Sequence, residues 1–182
     1  NSPFASTPSP AVVIGGSAIT TGSGPIQIAG TASGPGTTDG VAIEFAGDFP
    51  STLSTTSGSV SIVGNAVNSG AAGVRVFEST IQTGSGNIGV TGTGTAGVGV
   101  SNDEGGVIAT SAGGSITING QGGVTGVHFE GDCGGDGCTP GQAVTAGSPG
   151  SIAITGISTA GGYGIELEGG AIVGNAATRG NV

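Results

Sequence analysis

The stretch SITINGQGGVTGVHF, residues 115–129, holds the pattern that decides the fold. Ile116 and Ile118 stand two residues apart, a glycine-rich turn follows, and Val127 and Phe129 come two residues apart behind Gly126. Alternation of apolar with small polar residues has the period of a strand, whose successive side chains point to opposite faces. The stretch therefore predicts two short, half-buried strands.

The same phrase recurs along the chain as three short elements, and the second elements start 28 to 36 residues apart. The first element holds one aliphatic residue: Ile19, Leu53, Ile81, Ile108, Val144 and, opening a sixth copy, Ile172. The second holds Ile26/Ile28, Val60/Ile62, Ile88/Val90, Ile116/Ile118 and Ile152/Ile154. The third holds Val41/Ile43, Val74/Val76, Val98/Val100, Val127/Phe129 and Ile165/Leu167, preceded by Gly40, Gly73, Gly97, Gly126 and Gly164.

Three strands of this length cannot bury an apolar face alone, but stacked copies of the repeat can. The sequence predicts an all-β fold, a parallel β-solenoid with three short strands per coil and about five coils, plus partial coils at both ends. Coils lie about 4.8 Å apart in such a stack, and right-handed winding is the default for parallel connections. We expect a Pro/Ser-rich arm or linker at residues 1–11 and a solenoid at 12–182, with a loop insertion at 130–141.

One polar column should accompany the core. Thr21, Thr55, Thr83 and Thr110, followed by Ala146, stand two residues after each aliphatic residue of the first element. Because they share the parity of the buried residues, we expect these threonines to point inward at a corner and form a ladder of hydroxyl groups.

Composition excludes several classes of partner. The formal net charge is -9, and Arg75 and Arg179 are the two basic residues, so there is no cationic surface for nucleic acid. No apolar run approaches the roughly 20 residues that span a bilayer. No catalytic residues and no required cofactor are predicted.

The ends of the repeat suggest continuation. Val12 and Ile14 resemble the third element of a preceding coil, and Ile172 begins another, without the polar capping repeat that an isolated solenoid needs. We expect either a piece of a longer solenoid or a head-to-tail stack of identical chains, and a self-capped monomer is the third alternative.

Phrases such as GSITING (114–120) and GSIAITG (150–156), with TGSG turns, resemble the β-solenoid stalks of large bacterial surface and secreted proteins. The resemblance is to filamentous-haemagglutinin-like exoproteins and autotransporter passenger domains, and it lies in pattern and composition. It implies an exported, extended, adhesive or scaffolding protein at the cell surface.

Acidic residues collect on and after the third strand. In the predicted register its outward positions are, in order, Ala42, Arg75, Gly99, His128 and Glu166, then Glu44, Phe77, Ser101, Glu130 and Glu168. Glu130 would stand about 5 Å from Glu168, a repulsive pair that calls for a cation, a shared proton or solvent. A Ca²⁺ site formed by Glu130, Asp132, Asp136 and Glu168 is one interpretation, and a solvated acidic face is the other. His128 is expected to form a surface ion pair with Glu166.

The loop GDCGGDGCTPG, residues 131–141, carries both cysteines, Cys133 and Cys138. Zinc normally takes closely spaced cysteine pairs in duplicate, so a single pair in an exported chain favours a disulfide that closes the loop.

The function expected from the sequence is that of an extracellular structural rod, either a filament or sheath subunit or the stalk of an adhesin. A glycan-binding or glycan-degrading module using the acidic face is the alternative, because paired carboxylates about 5 Å apart also serve retaining glycosidases. An ice-binding face is a minor alternative, since the outward row Thr20, Ser54, Gln82, Ala109 and Thr145 is irregular.

Overall fold

The computed structural model describes residues 9–34, 38–67, 70–131 and 141–174. Cys133, Cys138, Asp132 and Asp136 lie outside the described residues, and so do the predicted disulfide and most of the predicted calcium loop. The strands are β1 Val12–Gly15, β2 Ala18–Thr21, β3 Ile26–Ala32, β4 Val41–Glu44, β5 Thr52–Thr55, β6 Val60–Ala66, β7 Val74–Phe77, β8 Thr80–Thr83, β9 Ile88–Gly94, β10 Val98–Asp103, β11 Val107–Thr110, β12 Ile116–Gly122, β13 Thr125–Glu130, β14 Gly141–Ala146, β15 Ile152–Ser158, β16 Ile165–Glu168 and β17 Ala171–Val173.

The strands form three parallel sheets in which every third strand along the chain is a neighbour. Sheet A has the order β1-β4-β7-β10-β13-β16, sheet B the order β2-β5-β8-β11-β14-β17, and sheet C the order β3-β6-β9-β12-β15. This arrangement confirms the predicted parallel β-solenoid with three strands per coil. Across the described ranges there is no helix with the length and apolar character that a membrane-spanning helix requires.

The core lies between the three sheets and consists of columns of like residues. Sheet C contributes Ile26, Val60, Ile88, Ile116 and Ile152, each opposite the next. Sheet B contributes Leu53, Ile81, Ile108 and Val144, and these four side chains have no exposed surface. Stacking identical positions at one coil spacing lets each aliphatic side chain bury the one below it, which short strands cannot do alone.

Inward positions along each strand of sheet C follow the order large, large, glycine, small. In β12 these are Ile116, Ile118, Gly120 and Gly122, and Gly120 stands in register with Gly92 of β9. The core is therefore wide next to sheet B and narrows towards the edge where sheet C meets sheet A. We call this edge the thin edge.

At the thin edge, glycine packs directly against glycine. A Cβ built on Gly92 would overlap the carbonyl oxygen of Gly99, and one built on Gly120 would overlap that of Gly126. The same contact recurs in the remaining coils between the pairs Gly30/Gly40, Gly64/Gly73 and Gly156/Gly164. Sheets C and A thus touch backbone to backbone, and only glycine fits at either side of the contact.

This contact corrects one predicted register. Gly99, not Gly97, faces Gly92, so Val100 pairs with Val74 and with Val127. The third element of this coil is therefore Val100/Asn102 instead of Val98/Val100. Both alignments keep the same side chains inward, because a slip of two residues preserves the face of a strand.

As a result, Asn102 occupies a core position between Val76 and Phe129 and is fully buried. Its Nδ2 donates a hydrogen bond to the carbonyl of Gly106 (2.9 Å), at the end of the tight turn that leads into β11. A polar side chain is tolerated there because it bonds the backbone of its own turn.

The threonine column is present, but its hydroxyl groups do not form a ladder. Thr21, Thr55, Thr83 and Thr110 are in register, and the last three are buried. Each hydroxyl donates to a carbonyl at the next corner: the acceptors are Gly24, Gly58, Gly86 and, at 2.8 Å, Gly114. These hydroxyl groups fix the corner between sheets B and C, and the Thr110 hydroxyl also accepts a hydrogen bond from the backbone N–H of Gly147 in the next coil, at 3.2 Å.

The predicted start of the sixth copy is also shifted. Val173, not Ile172, pairs with Val144, across an irregularity in the β14–β17 register. Val173 packs against the core, whereas Ile172 pairs with Gln142 and is 38% exposed.

The glycine contact predicts a position-specific effect within one strand. We expect Gly92→Ala to lower the free energy of unfolding by about 3 kcal/mol, because backbone cannot move aside as a side chain can. Gly89→Ala, in the same strand but facing open space, should change it by less than about 0.5 kcal/mol. Urea unfolding of both variants measures the difference, and equal effects would contradict the contact.

Candidate functional site

Charge is confined to one side of the solenoid in the described part of the chain. The Asp, Glu, Arg and His residues on sheet A or in its adjoining turns are Asp39, Glu44, Asp48, Arg75, Glu78, Asp103, Glu104, His128, Glu130, Glu166 and Glu168. The corrected register places Ser101 between Arg75 and His128, and Asp103 beside Phe77. We call the outward surface of β10, β13 and β16 the acidic face.

At the centre of the acidic face, His128 bridges two carboxylates from different coils. Its Nδ1 lies 3.0 Å from Asp103 Oδ1 in the preceding coil, and its Nε2 lies 2.7 Å from Glu168 Oε1 in the following coil. The Ser101 hydroxyl also donates to Asp103 Oδ1, at 2.6 Å. One imidazole ring thus links three successive strands of sheet A.

The two carboxylates change the ionisation of the ring. The hydrogen bond with Asp103 raises the pKa of His128 most, burial opposes it, and Glu168 raises it further, so that the pKa is about 9. His128 is therefore an imidazolium at neutral pH, and both of its ring nitrogens donate.

Glu130 lies in the same patch and pairs with Glu168 across the β13–β16 register, as predicted. Burial raises the pKa of Glu130, repulsion from Glu104, Asp103 and Glu168 adds to the rise, and His128 opposes it. The Glu130 and Glu168 pair therefore has a neighbouring cation from the chain itself, the His128 imidazolium.

The predicted partner of His128 is wrong in one respect. His128 does stand opposite Glu166 in the register, but its ring reaches diagonally to Glu168 and Asp103. Glu166 instead accepts a hydrogen bond from the Thr125 hydroxyl, at 3.2 Å. The sequence did not indicate Asp103 as a partner of His128, because the predicted register of β10 was wrong by two residues. It put Ser101 at the position that Asp103 occupies.

A second bridge lies nearer the other end of sheet A. Arg75 Nε lies 3.0 Å from Asp39 Oδ2, and its Nη2 lies 2.6 Å from Glu44 Oε2, with the guanidinium 5.6 Å from the centre of the Phe77 ring. Asp39 also accepts from the backbone N–H of Ala72, at 2.9 Å. Unlike His128, Arg75 binds two carboxylates of one coil, the coil that precedes its own, and so links two coils of sheet A.

Metal binding at the acidic face remains a prediction. The ligand atoms of His128, Glu166 and Glu168 lie within 4.8 Å of one another. Of the residues predicted to hold Ca²⁺, Glu130 and Glu168 are adjacent in the register, while Asp132 and Asp136 lie outside the described residues. Oxygen ligands from this patch suit a hard ion such as Ca²⁺, which would have to compete with the His128 imidazolium.

Comparison of the chain with family models, with curated proteins and with solved structures finds no match. The arguments on function therefore depend on the geometry of this chain.

The bridge that His128 forms between Asp103 and Glu168 predicts that the free energy of unfolding depends on pH. A pKa raised from 6.5 to about 9 stabilises the fold fully below pH 6.5, and this stabilisation declines between pH 6.5 and about 9. The shift corresponds to about 3.4 kcal/mol, and screening by solvent at this partly exposed site reduces the expected stabilisation to about 2–3 kcal/mol. We expect the difference in unfolding free energy between the wild type and His128→Gln to shrink over this range, measured by urea titration at each pH. A difference that does not change with pH would show that the bridge contributes nothing through ionisation.

The calcium hypothesis predicts a rise in melting temperature when Ca²⁺ is added, which EDTA should reverse. The rise should be absent from Glu130→Gln/Glu168→Gln and present in Glu44→Gln, whose carboxylate belongs to the Arg75 bridge. Differential scanning calorimetry measures both. If the wild type shows no shift at millimolar Ca²⁺, the acidic face is not a calcium site.

Proposed function

We propose that this chain is a structural segment of an extracellular β-solenoid rod, a filament or sheath subunit or an adhesin stalk, that extends by stacking of coils end to end. The observation that carries the proposal is the exposure of core-facing aliphatic side chains in the outermost strands that the structure describes. Ile165 and Leu167 in β16 stand in register with Val127 and Phe129, which have no exposed surface, yet they are 42% and 50% exposed. A further coil stacked on β16 would bury both side chains, as β16 buries Val127 and Phe129.

The opposite end of the described solenoid shows the same feature. Ile19 in β2 pairs with Leu53, which has no exposed surface, but Ile19 itself is 38% exposed. The edges of all three sheets lie at each end, β1, β2 and β3 at one and β15, β16 and β17 at the other. A coil added to either end would satisfy unpaired edge strands and exposed apolar side chains together. Because the two ends differ, identical chains that stack this way form a contact that does not close on itself, and such a contact generates fibres.

Charge distribution is compatible with this role. The net charge of -9 keeps a glycine-rich rod in solution, and like-charged acidic faces repel one another, which discourages sideways aggregation. The extracellular location is proposed from the resemblance to exported stalk repeats and from the two cysteines of the 131–141 loop.

A glycan-active module on the acidic face is the competing proposal. Its support is the unequal environment of two adjacent carboxylates, since burial raises the pKa of Glu130 while Glu168 is held by the His128 imidazolium. Pairs of this kind can divide the roles of acid and nucleophile. Turnover of a glycan panel that is lost in Glu130→Gln would favour this proposal over the structural rod.

End-to-end stacking predicts assembly that depends on concentration and on one terminal core position. Purified wild-type chain should form rods longer than one molecule in negative-stain electron micrographs, and its sedimentation coefficient should rise with concentration. Leu167→Asp should abolish both effects, because it would bury a carboxylate in the new core. Ile157→Asp is the matched control, since Ile157 is also an exposed aliphatic residue of the last coil but lies on the outer face of sheet C. A monodisperse short monomer at every concentration would contradict a filament subunit.

A further inference from the structure

The outer surface of sheet C differs from the acidic face in carrying no charged residue in the described chain. It bears a shallow trough of about 260 Å³ that runs across three coils, along the axis of the solenoid. Its two walls are formed by Thr91, Asn119 and Thr155 on one side and by Thr93, Gln121 and Ile157 on the other. We call this groove the trough.

The trough is a consequence of the glycine contact. Gly92 and Gly120 lie between the two walls and face inward, against the backbone of sheet A. The walls repeat at one coil spacing, about 4.8 Å. Apart from Ile157, the two parallel rows therefore present hydroxyl and amide groups on either side of a floor of backbone.

These polar groups are available for a ligand. Thr91, Asn119, Gln121 and Thr155 are exposed. Within the described residues, the amides of Asn119 and Gln121 are not used in a side-chain hydrogen bond. An amide offers both a donor and an acceptor, so each can pair with a hydroxyl group in either role.

We propose that the trough binds a single chain of a neutral, hydroxyl-rich polysaccharide. Such a ligand matches the absence of charge on this surface and the mixed hydrogen-bond donors and acceptors of the walls. A polyanionic glycan is disfavoured because the molecule carries a net charge of -9.

Two other occupants fit less well. A second copy packed face to face would bury roughly 550 Å² per molecule, from five coils about 4.8 Å apart and strands of seven residues at about 3.3 Å each. This is below the roughly 800 Å² per partner of standard interfaces, and two concave surfaces would leave a gap. A flat ice surface would not enter a groove, and the rows mix Thr, Asn, Gln and Ile.

Affinity electrophoresis of the whole chain in gels that contain dextran, laminarin or hydroxyethylcellulose tests the proposal, with polygalacturonate as the charged comparison. We expect at least one neutral polymer to retard the wild type and polygalacturonate not to retard it. Asn119→Ala/Gln121→Ala should weaken binding about tenfold through the loss of two hydrogen-bonding side chains. Thr20→Ala/Gln82→Ala, exposed polar residues on sheet B, is the matched control and should bind as the wild type does.

Several outcomes would overturn the proposal. These are no retardation by any neutral polymer, equal retardation of wild type and Asn119→Ala/Gln121→Ala, and loss of binding in Glu130→Gln/Glu168→Gln, which would assign the ligand to the acidic face. Sedimentation of the wild type as a dimer that Asn119→Ala/Gln121→Ala abolishes would assign the surface to a second copy. Thermal unfolding confirms that each variant is folded, so a loss of binding is not mistaken for a loss of structure.

Discussion

In every coil, the strand of sheet C passes the first residues of the neighbouring strand of sheet A so closely that neither can carry a side chain. The pair Gly92 and Gly99 shows this contact, in which a Cβ on Gly92 would overlap the carbonyl oxygen of Gly99. The contact sets the width of the core, because it forces the coil to narrow from two layers of aliphatic side chains to two touching backbones. It also fixes where each strand of sheet A begins relative to sheet C.

Much of this architecture can be predicted from the sequence, because stacked coils repeat their requirements. Ile-x-Ile pairs and the threonine column stand at equivalent positions in each copy, and alternation indicates which side chains face inward. The parallel solenoid and the pairing of Glu130 with Glu168 follow from that periodicity. Sequence periodicity works well here because almost every contact is between equivalent positions of neighbouring coils.

The remaining details depend on distances that alternation does not encode. The third coil offers two Gly-Val pairs of the same parity, at 97–98 and at 99–100, and the valine pattern prefers the wrong one. Contact with Gly92 selects Gly99, which moves Asn102 into the core and brings Asp103 to His128. The contact between His128 and Asp103 could therefore not be predicted from the sequence, because the predicted register of β10 was wrong by two residues. The threonine hydroxyls bond corner carbonyls for a similar reason, since a carbonyl three or four residues ahead is within reach.

The sheets present surfaces with different chemistry. Sheet A carries the described charges, and its two cationic side chains bind carboxylates of neighbouring coils, which ties the stack together along its axis. Sheet C is uncharged outside and grooved over its glycines. Apolar core positions are exposed in the outermost described strands. The proposed end-to-end stacking and the proposed ligand site therefore use different surfaces of the molecule.

Cross-linking of β7 to β10 tests the central claim, that glycine contact sets the register, most directly. In a background with Cys133 and Cys138 changed to Ser, the variant Phe77→Cys/Asp103→Cys should form a disulfide on mild oxidation, because these two residues are Cα partners. The variant Phe77→Cys/Ser101→Cys should remain reduced, since the two positions are then offset by two residues along the strands. Efficient cross-linking of Phe77→Cys/Ser101→Cys, with none in Phe77→Cys/Asp103→Cys, would contradict the account and restore the register that the valine pattern favours.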